Sequence, residues 1–433
     1  MHFRNIDKEL VATQTLYQAG HFQQCANMLR KILDLRESLD PKAVVRIESL
    51  LALAYFKLGR IEQAIKVIAS VNPIYRDIYH YMYAAEIYRN AGRIEDAYTA
   101  VMKAVGIDHR NAEAQRLAGA VLHQRGNYFD AERAFKKALM LKPGDADTYS
   151  NLGNTLSKLD KADEAKAAFT RATFLKPDFE IAWTNWGGHE LREGNYDEAI
   201  NLYKKALEIN SGNPQANLGV GFAALTFGDF ENGFRLYEWR FSAGTSERPT
   251  GWPRFDPYCQ DTANQPEGKR LILLSEQGFG DTFMMLRFLP QLRDMGYEIT
   301  VLCHKSLHSL IALNFPYVKF AGDEVDVKNH DVYCNMMGLP YALKLRKSSI
   351  PREPYLSAGF ACADTTHGAV GFCWRGNPDH ENDRHRSIRK DDFMRLFDGM
   401  DLRLINFTHG DERVSFRDRS EEHTSELQSR HNL

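Results

Sequence analysis

The sequence lacks paired cysteines, an excess of basic charge and long apolar runs. Its six cysteines form no Cys-x-x-Cys pair, which disfavours a disulfide framework or a zinc site and indicates reduced thiols. Lysine plus arginine number 55 and aspartate plus glutamate 57, a formal net charge of −2, so no basic excess indicates nucleic acid. No apolar run approaches the about 20 residues of a membrane span, and the first residues lack the apolar core of a signal peptide. We expect a cytoplasmic protein with no membrane span and no nucleic-acid partner.

What is present is an ordinary globular composition at a length that allows more than one domain. Of the 433 residues, 43% are apolar and 26% are charged, which is typical of globular proteins. The length predicts two or three domains. The hydrophobic period differs between the two halves of the chain, which indicates two different folds.

The first half carries an internal repeat. Anchor residues recur at intervals of 39, 33 and then 34 residues, and they are Gly20, Gly59, Gly92, Gly126, Asp160, Gly194 and Gly228. Small residues lie seven positions before and five positions after most of these anchors. A period of this length predicts stacked helical hairpins, because the small positions let two helices approach closely.

One unit illustrates the residue types of the repeat. After Gly126, the small residues Ala131 and Ala138 lie on the second helix of the hairpin. Phe135 fills the space between neighbouring hairpins, and Pro143 ends the helix. The pattern resembles the tetratricopeptide (TPR) repeat over roughly residues 10–241, in about seven units.

The stacked array predicts a concave groove with two alternative roles. It binds a protein or peptide, or it serves as a spacer or dimerisation arm. Trp183 and Trp186 are candidates for groove ligands, but residues at helical spacing are more often packing residues. No single groove residue can be chosen from the sequence.

The repeat ends near Phe241 and a different composition follows. Residues 242–268 contain several glycines and four prolines, which are Pro249, Pro253, Pro257 and Pro266. Proline blocks helix continuation and removes a backbone donor. We therefore predict a linker over residues 242–268.

The chain after the linker predicts a parallel α/β sheet. An apolar strand precedes a glycine turn, a helix and a second strand, and shorter strands are expected further on. These elements are the strand 270–275, the turn 276–280, the helix 281–295, the strand 298–303, and strands near 318–320 and 332–334. A strand–helix–strand order predicts parallel pairing with helices on the faces of the sheet.

The turn after the first strand holds the candidate catalytic residue. Ligands of open α/β sheets collect beyond the carboxyl ends of the strands, where Gly278 and Gly280 let a ligand approach the backbone. Met284 replaces the third glycine of the dinucleotide fingerprint, which disfavours a nicotinamide-dependent oxidoreductase. Asp281 has two interpretations: an N-cap of the helix, or a general base that removes a proton from an acceptor hydroxyl.

A second apolar strand, at 369–374, leads into a charged loop at 375–388. Arginine, asparagine and histidine are concentrated in this loop. Guanidinium groups and helix-start N–H groups suit a diphosphate, and the alternative is a solvated charged loop. The loop also contains four potential metal ligands, whose spacing matches no strong ligand pattern, so we expect no metal. They are His380, Glu381, Asp383 and His385.

Several motifs follow one another in a fixed order across about residues 235–410. They occupy 274–282, 288–292, 350–351, 354–356, 370–378 and 383–388. Together they resemble the bacterial TPR-linked glycosyltransferases related to the lipopolysaccharide heptosyltransferases. The resemblance implies a GT-B fold, with two Rossmann-like domains and the active site in the cleft between them. It also implies metal-independent transfer from a nucleotide-diphosphate sugar, with no cofactor beyond that donor.

The resemblance also implies roles for individual residues. Asp281 would be the catalytic base near the acceptor hydroxyl. Gln277, Gly278 and Gly280 would form the acceptor side of the cleft. The donor diphosphate would lie near Asn377, Arg384, Arg386 and Ser387, where positive charge stabilises the leaving group. Arg375 stands where relatives often carry a small residue. The acceptor would be a protein or glycan, and the TPR array would bind this acceptor or another partner.

These expectations divide the chain into five segments. They are a TPR solenoid at 1–241, the linker at 242–268, an N-terminal Rossmann-like domain at 269–365, the start of a nucleotide-sugar-binding domain at 366–418, and a tail at 419–433. The tail resembles a translated sequencing adapter, and we expect it to be non-native.

The second Rossmann-like domain is predicted to be truncated. About 50 residues between Gly368 and the tail are fewer than the roughly 120–170 that such a domain needs. A fragment of that size buries too little surface to be robust alone, so we expect little or no transferase activity from this chain. The alternative function is a TPR protein–protein interaction scaffold with a catalytically silent α/β domain.

Overall fold

The structure is a computed structural model whose described residues fall into two compact units. The described residues are 3–247, 254–255, 269–322, 329–357, 369–372, 388–389, 392–393, 395–397, 403–406 and 415–416. The first unit spans Met1–Tyr355 and the second spans Leu356–Leu433.

Residues 3–247 form an array of seven helical hairpins, as the repeat predicts. Each hairpin pairs an odd-numbered helix with the even-numbered helix that follows it. The helices are α1 Phe3–Gln18, α2 Phe22–Leu33, α3 Pro41–Lys57, α4 Ile61–Ser70, α5 Ile78–Asn90, α6 Ile94–Ile107, α7 Ala112–Gln124, α8 Tyr128–Leu141, α9 Ala146–Lys158, α10 Ala162–Leu175, α11 Glu180–Arg192, α12 Tyr196–Ile209, α13 Pro214–Thr226 and α14 Phe230–Tyr237. A 3-10 turn, Glu238–Arg240, follows α14.

The ends of the odd-numbered helices are set by local chemistry. Their turns require a left-handed backbone, and the anchor glycines supply it, as at Gly126 with φ of 86°. Asp160 adopts the same conformation at its grid point, with φ of 59°. At the other end of α5, α7, α9 and α13, an Asp or Asn side chain accepts the N–H of the third helical residue, as Asn111 does from Ala114 at 2.9 Å. The period therefore reflects where each helix begins and stops.

Glycines on the odd-numbered helices contact aromatic rings on the even-numbered helices of the same hairpins. A Cβ at Gly119 would lie 2.7 Å from the Phe135 ring, and one at Gly153 would lie 2.6 Å from Phe169. Both rings are fully buried. Phe135 and Phe169 thus pack directly on the glycine of their own hairpin, whereas Tyr203 contacts both Gly187 of its own hairpin and Gly219 of the next, as expected for an aromatic residue between hairpins.

The first unit also contains a four-stranded parallel sheet. Its strands are β1 Arg270–Leu274, β2 Glu298–Leu302, β3 Lys319–Phe320 and β4 Val332–Asn335, in the order β3-β2-β1-β4. β1 is central and buried, with Leu271 beside Ile299 on one neighbour and Val332 on the other. A parallel bridge from Arg254 to Tyr333 covers the outer side of β4.

The helix predicted over 281–295 is two helices. They are α15 Phe279–Leu286 and α16 Leu289–Asp294, and α17 His308–Asn314 and α18 Leu339–Ala342 follow further along. Pro290 lies in the first turn of α16, where its missing N–H costs nothing; inside a continuous helix it would remove a hydrogen bond. Among the described residues, no helix is long and apolar enough to cross a membrane.

The second unit contains a small sheet of three described strands. They are β5 Ala369–Phe372, β6 Arg403–Asn406 and β7 Ser415–Phe416. β5 and β6 pair in parallel, and β6 and β7 pair antiparallel. The predicted donor loop after Phe372 and the predicted non-native tail at 419–433 lie outside the described residues.

We predict that Gly153→Ala destabilises the array. The added methyl would overlap the buried Phe169 ring at 2.6 Å, and such overpacking costs about 1–3 kcal/mol. Urea unfolding followed by circular dichroism measures the loss. Gly144→Ala is the matched control, because a Cβ there meets no atom within 4 Å, and we expect a change within about 0.5 kcal/mol. Equal effects of the two substitutions would contradict the packing argument.

Candidate functional sites

The odd-numbered helices form one continuous face of the array. From α3 to α13, each odd-numbered helix packs against the next odd-numbered helix as well as against its own hairpin partner. Close packing on this side curves a stack of hairpins towards it. We call this surface the odd-helix face, and it is the first candidate site.

Imidazole–hydroxyl hydrogen bonds join successive helices of this face. Nδ1 of His80 lies 3.0 Å from the Ser49 hydroxyl, and Nδ1 of His189 lies 2.9 Å from the Ser157 hydroxyl. His123 and Thr155 make a similar contact at 3.0 Å. Burial lowers the pKa of His80 to about 4, with nearby Arg76 adding to the effect. Neutral imidazoles therefore hold neighbouring hairpins in register.

Amide and guanidinium groups continue these contacts between α9, α11 and α13. Asn185 donates to the Ser150 hydroxyl at 3.1 Å, and Arg192 donates to the Ser157 hydroxyl at 2.7 Å. Ser150, Asn154 and Ser157 share one stripe of α9, since residues four and three apart lie on the same side of a helix. Asn154 is half-buried on this stripe, which makes it a good probe of the odd-helix face.

The two tryptophans considered as groove ligands are packing residues. Trp186 is buried and donates its indole N–H to Glu190 at 2.9 Å. Trp183 donates to the backbone oxygen of Pro177 at 2.8 Å and stacks on Trp186 with ring centroids 5.9 Å apart. Both polar groups are satisfied within the chain, as their helical spacing favoured.

A buried ion cluster joins the end of the array to the sheet. Arg240, in the turn after α14, is 1% exposed. Its guanidinium donates to both carboxylate oxygens of Glu276, at 3.0 and 3.2 Å, and to Glu238 at 2.6 Å. It also lies over the Phe241 ring at 4.0 Å. The bidentate geometry fixes both position and orientation.

Glu276 belongs to the loop after β1 and satisfies groups from three directions. Besides Arg240, its carboxylate accepts from the Asn335 side chain at 3.3 Å and from the backbone N–H of Met337 at 3.2 Å. Asn335 and Met337 lie at the end of β4, so this crevice is the point where the strand order reverses beside β1. Open α/β sheets bind ligands at such a point, and here side chains from the array occupy it.

The second candidate site is the exposed side of the same loop, which we call the Asp281 loop (Glu276–Asp281). Asp281 lies in the first turn of α15, whose N-cap is Gly278, so the N-cap interpretation of Asp281 is wrong. The helix dipole favours a carboxylate at this place. Among the described residues, the Asp281 carboxylate makes no hydrogen bond or ion pair, and it is half-buried.

The loop is also connected to the array through Tyr237. Nε2 of Gln277 donates to the Tyr237 hydroxyl at 2.5 Å. Burial raises the pKa of Tyr237, and the charge of Asp281 adds to that shift. Phe279 is exposed beside the His304 ring, with centroids 5.3 Å apart. The loop therefore presents an amide, a carboxylate and an aromatic ring at the carboxyl edge of β1.

The structure brings one of the two predicted residue sets together. Gln277, Gly278, Gly280 and Asp281 share this loop, and a Cβ at Gly278 would lie 3.7 Å from Oδ2 of Asp281 while one at Gly280 would meet no atom within 4 Å. The surrounding protein atoms thus leave room for a larger side chain at both positions. The donor-side residues lie outside the described residues: Asn377, Arg384, Arg386 and Ser387.

The sequence analysis missed Tyr237, Arg240 and Glu276 as site residues. Arg240 stands between Trp239 and Phe241, and an arginine flanked by two aromatics was a signal of burial. The described residues contain no group of three or more side chains that could hold a metal ion. The four potential ligands at 380–385 lie outside the described part of the chain.

Comparison with protein families identifies the repeats of the array. Residues 150–214 match the family described as tetratricopeptide repeat. This match runs from within α9 to the start of α13, and the anchors of the remaining hairpins recur at intervals of 33 to 39 residues. A search of curated proteins finds no match. The chain therefore carries tetratricopeptide repeats, and no enzyme family is identified in it.

Solved structures similar to this chain include several repeat proteins. A tetratricopeptide repeat protein from Parabacteroides merdae is 16% identical, with a TM-score of 0.47, and the match covers 55% of this chain and 93% of that chain. PilF of Pseudomonas aeruginosa is 19% identical, with a TM-score of 0.39, over 47% and 93% of the two chains. YrrB, described as a TPR protein with an unusual peptide-binding site, is 25% identical, with a TM-score of 0.31, over 38% and 86%.

We predict that acidification loosens the odd-helix face at α3 and α5. His80 binds a proton near pH 6.5 when unfolded but only near pH 4 when folded, so the unfolded state gains protons first and stability falls as pH drops through this window. Between pH 7 and 5 the loss is about 2 kcal/mol. Hydrogen–deuterium exchange in α3 and α5 measures it. His80→Gln should flatten the dependence there, and an unchanged pH profile would contradict the prediction.

Proposed function

We propose that this chain is a protein-interaction scaffold whose odd-helix face binds an extended segment of a partner. The observation that carries the proposal is the continuity of that face, since each odd-numbered helix from α3 to α13 contacts the next. Partly exposed polar side chains, such as Asn154, Asn185 and Arg192, lie on it. Repeat arrays of this kind use such extended surfaces to bind partners.

The polar contacts of the face support recognition of a peptide rather than of a small molecule. Half-buried amide and hydroxyl side chains such as Asn154, Thr184 and Asn185 lie on successive odd-numbered helices. Hydrogen-bonding side chains held in register suit a chain that presents a polar backbone group at every residue. The rigidity of these side chains lowers the entropy lost on binding.

A charge placed on the face tests the scaffold proposal. We predict that Asn154→Glu weakens binding of partner peptides by at least about tenfold, or about 1.4 kcal/mol, because a carboxylate on this stripe would be desolvated without a partner. The probe is a cellulose-bound library of twelve-residue peptides screened with the purified chain. The affinity of each binder is then measured in solution by fluorescence polarisation.

Thr170→Glu is the matched control for this experiment. Thr170 is exposed on the even-numbered helix α10, so the same charge enters the same region of the array on its other side. We expect this variant to bind like the parent chain. Equal losses for both variants, or the absence of any binding peptide, would contradict a scaffold that uses the odd-helix face.

We propose group transfer at the Asp281 loop as the second candidate function. The resemblance suggests a glycosyltransferase of the GT-B type that uses a nucleotide-diphosphate sugar. The specific observation in its favour is a carboxylate with no ion pair in the described part of the chain, on the exposed side of a glycine-containing loop at the carboxyl end of the central parallel strand. Asp281 would act there as the general base for an acceptor hydroxyl. Asn377, Arg384, Arg386 and Ser387 would hold the donor.

The transfer proposal has a direct test. We expect little turnover from this chain, and we predict that any release of nucleoside diphosphate from a panel of sugar donors falls by about a hundredfold or more in Asp281→Asn, the contribution of a general base. Asp294→Asn is the control, because Asp294 is exposed and pairs only with neighbouring Arg293. An unchanged rate of release in Asp281→Asn would rule out this role.

A further inference from the structure

The last odd-numbered helix carries an exposed aromatic residue at the junction with the sheet. Phe222 on α13 is 43% exposed. Its ring meets the Tyr237 ring edge-on, with centroids 5.6 Å apart and an interplanar angle of 71°. Edge-to-face pairs of this geometry are favourable, so Phe222 is held in place although it faces solvent.

Tyr237 connects this aromatic residue to the Asp281 loop. Its hydroxyl accepts from Gln277 at 2.5 Å, and Gln277 lies four residues before Asp281. Only one tyrosine ring separates Phe222 from Gln277, and two to three residues of extended chain, at about 3.3 Å each, cover that distance. The exposed surface of α13 and the exposed side of the loop are therefore neighbours.

The buried ion cluster keeps these neighbours in a fixed relation. Arg240 anchors Glu276, the first residue of the loop, through two hydrogen bonds. Arg240 neutralises the charge of Glu276 by pairing with it. The Asp281 carboxylate, in contrast, has no partner among the described residues. Within the described residues, the junction thus presents an apolar ring and a carboxylate that makes no ion pair.

We propose that Phe222, Gln277 and Asp281 form a single recognition surface that extends the odd-helix face onto the sheet. Its ligand is a partner segment in which an apolar side chain lies against Phe222 and a lysine or arginine two to four residues away pairs with Asp281. Charge complementarity selects the basic residue, since a partly desolvated carboxylate repels an acidic one. This inference rests on the scaffold function, because the rest of the segment lies on the odd-helix face.

The experiment uses peptides that vary only in the charged position. A cellulose-bound set of twelve-residue peptides combines one leucine with lysine, glutamine or glutamate, placed one to five residues away on either side. Binders are remeasured in solution with the parent chain by fluorescence polarisation. We expect lysine peptides at a spacing of two to four residues to bind at least about fivefold more tightly than their glutamate counterparts.

Variants of the chain assign this preference to the junction. Asp281→Asn should abolish the lysine preference while leaving binding of the glutamine peptides unchanged. Phe222→Ala should weaken all leucine-containing peptides by about fivefold or more. The controls are Asp294→Asn for the loss of a carboxylate and Phe227→Ala for the loss of an exposed ring, since Phe227 packs on Tyr196 at the end of α13.

The outcomes separate this inference from the scaffold function. Peptide binding that is lost in Asn154→Glu but is indifferent to Asp281→Asn and Phe222→Ala would overturn the junction surface and keep the scaffold. A lysine preference that survives in Asp281→Asn would overturn the pairing with this carboxylate. No peptide binding at all would overturn both. Circular dichroism of each variant checks that the fold is retained.

Discussion

The bidentate pair between Arg240 and Glu276 is the interaction on which the relation of the helical array to the sheet depends. It brings a charge from the end of a repeat domain into the crevice where the sheet order reverses. Burying two charges carries a desolvation cost of several kcal/mol per ion. That cost is met only because Glu238, Asn335 and the Met337 N–H complete the network. These hydrogen bonds hold the helical array and the sheet in one arrangement.

That arrangement changes how each candidate site is understood. The crevice that an open parallel sheet leaves for a ligand is filled by the chain itself, so the exposed part of this sheet edge is the outer side of the Asp281 loop. The pairing of Arg240 with Glu276 also places the Asp281 loop beside α13, the last helix of the odd-helix face. In the scaffold that we propose, the array and the loop form a joint surface, and a partner on the array would meet the sheet without any movement of either part.

The sequence predicted the array well and the junction poorly, for physical reasons. The repeat depends on local chemistry: Gly153 and Phe169 are sixteen residues apart in one hairpin, and each period repeats the signal. Arg240 and Glu276 are 36 residues apart and are separated by a linker. No periodic pattern in the sequence predicts that these two residues pair. Pro290 was visible, but the apolar spacing of residues 284–292 also fits one long helix. The two-residue strand β7 is too short to show any period.

The edges of the four-stranded sheet have a consequence for how the protein behaves at high concentration. Exposed edges of sheets invite pairing between molecules and lead to aggregation. On one side β3 is only two residues long, and its Lys319 pairs with Glu298. On the other side Arg254 and Phe255 cover β4, and the Phe255 N–H donates to Tyr333 at 2.8 Å. In the described residues, neither edge of this sheet offers a long run of unpaired backbone, which disfavours edge-to-edge pairing of two molecules.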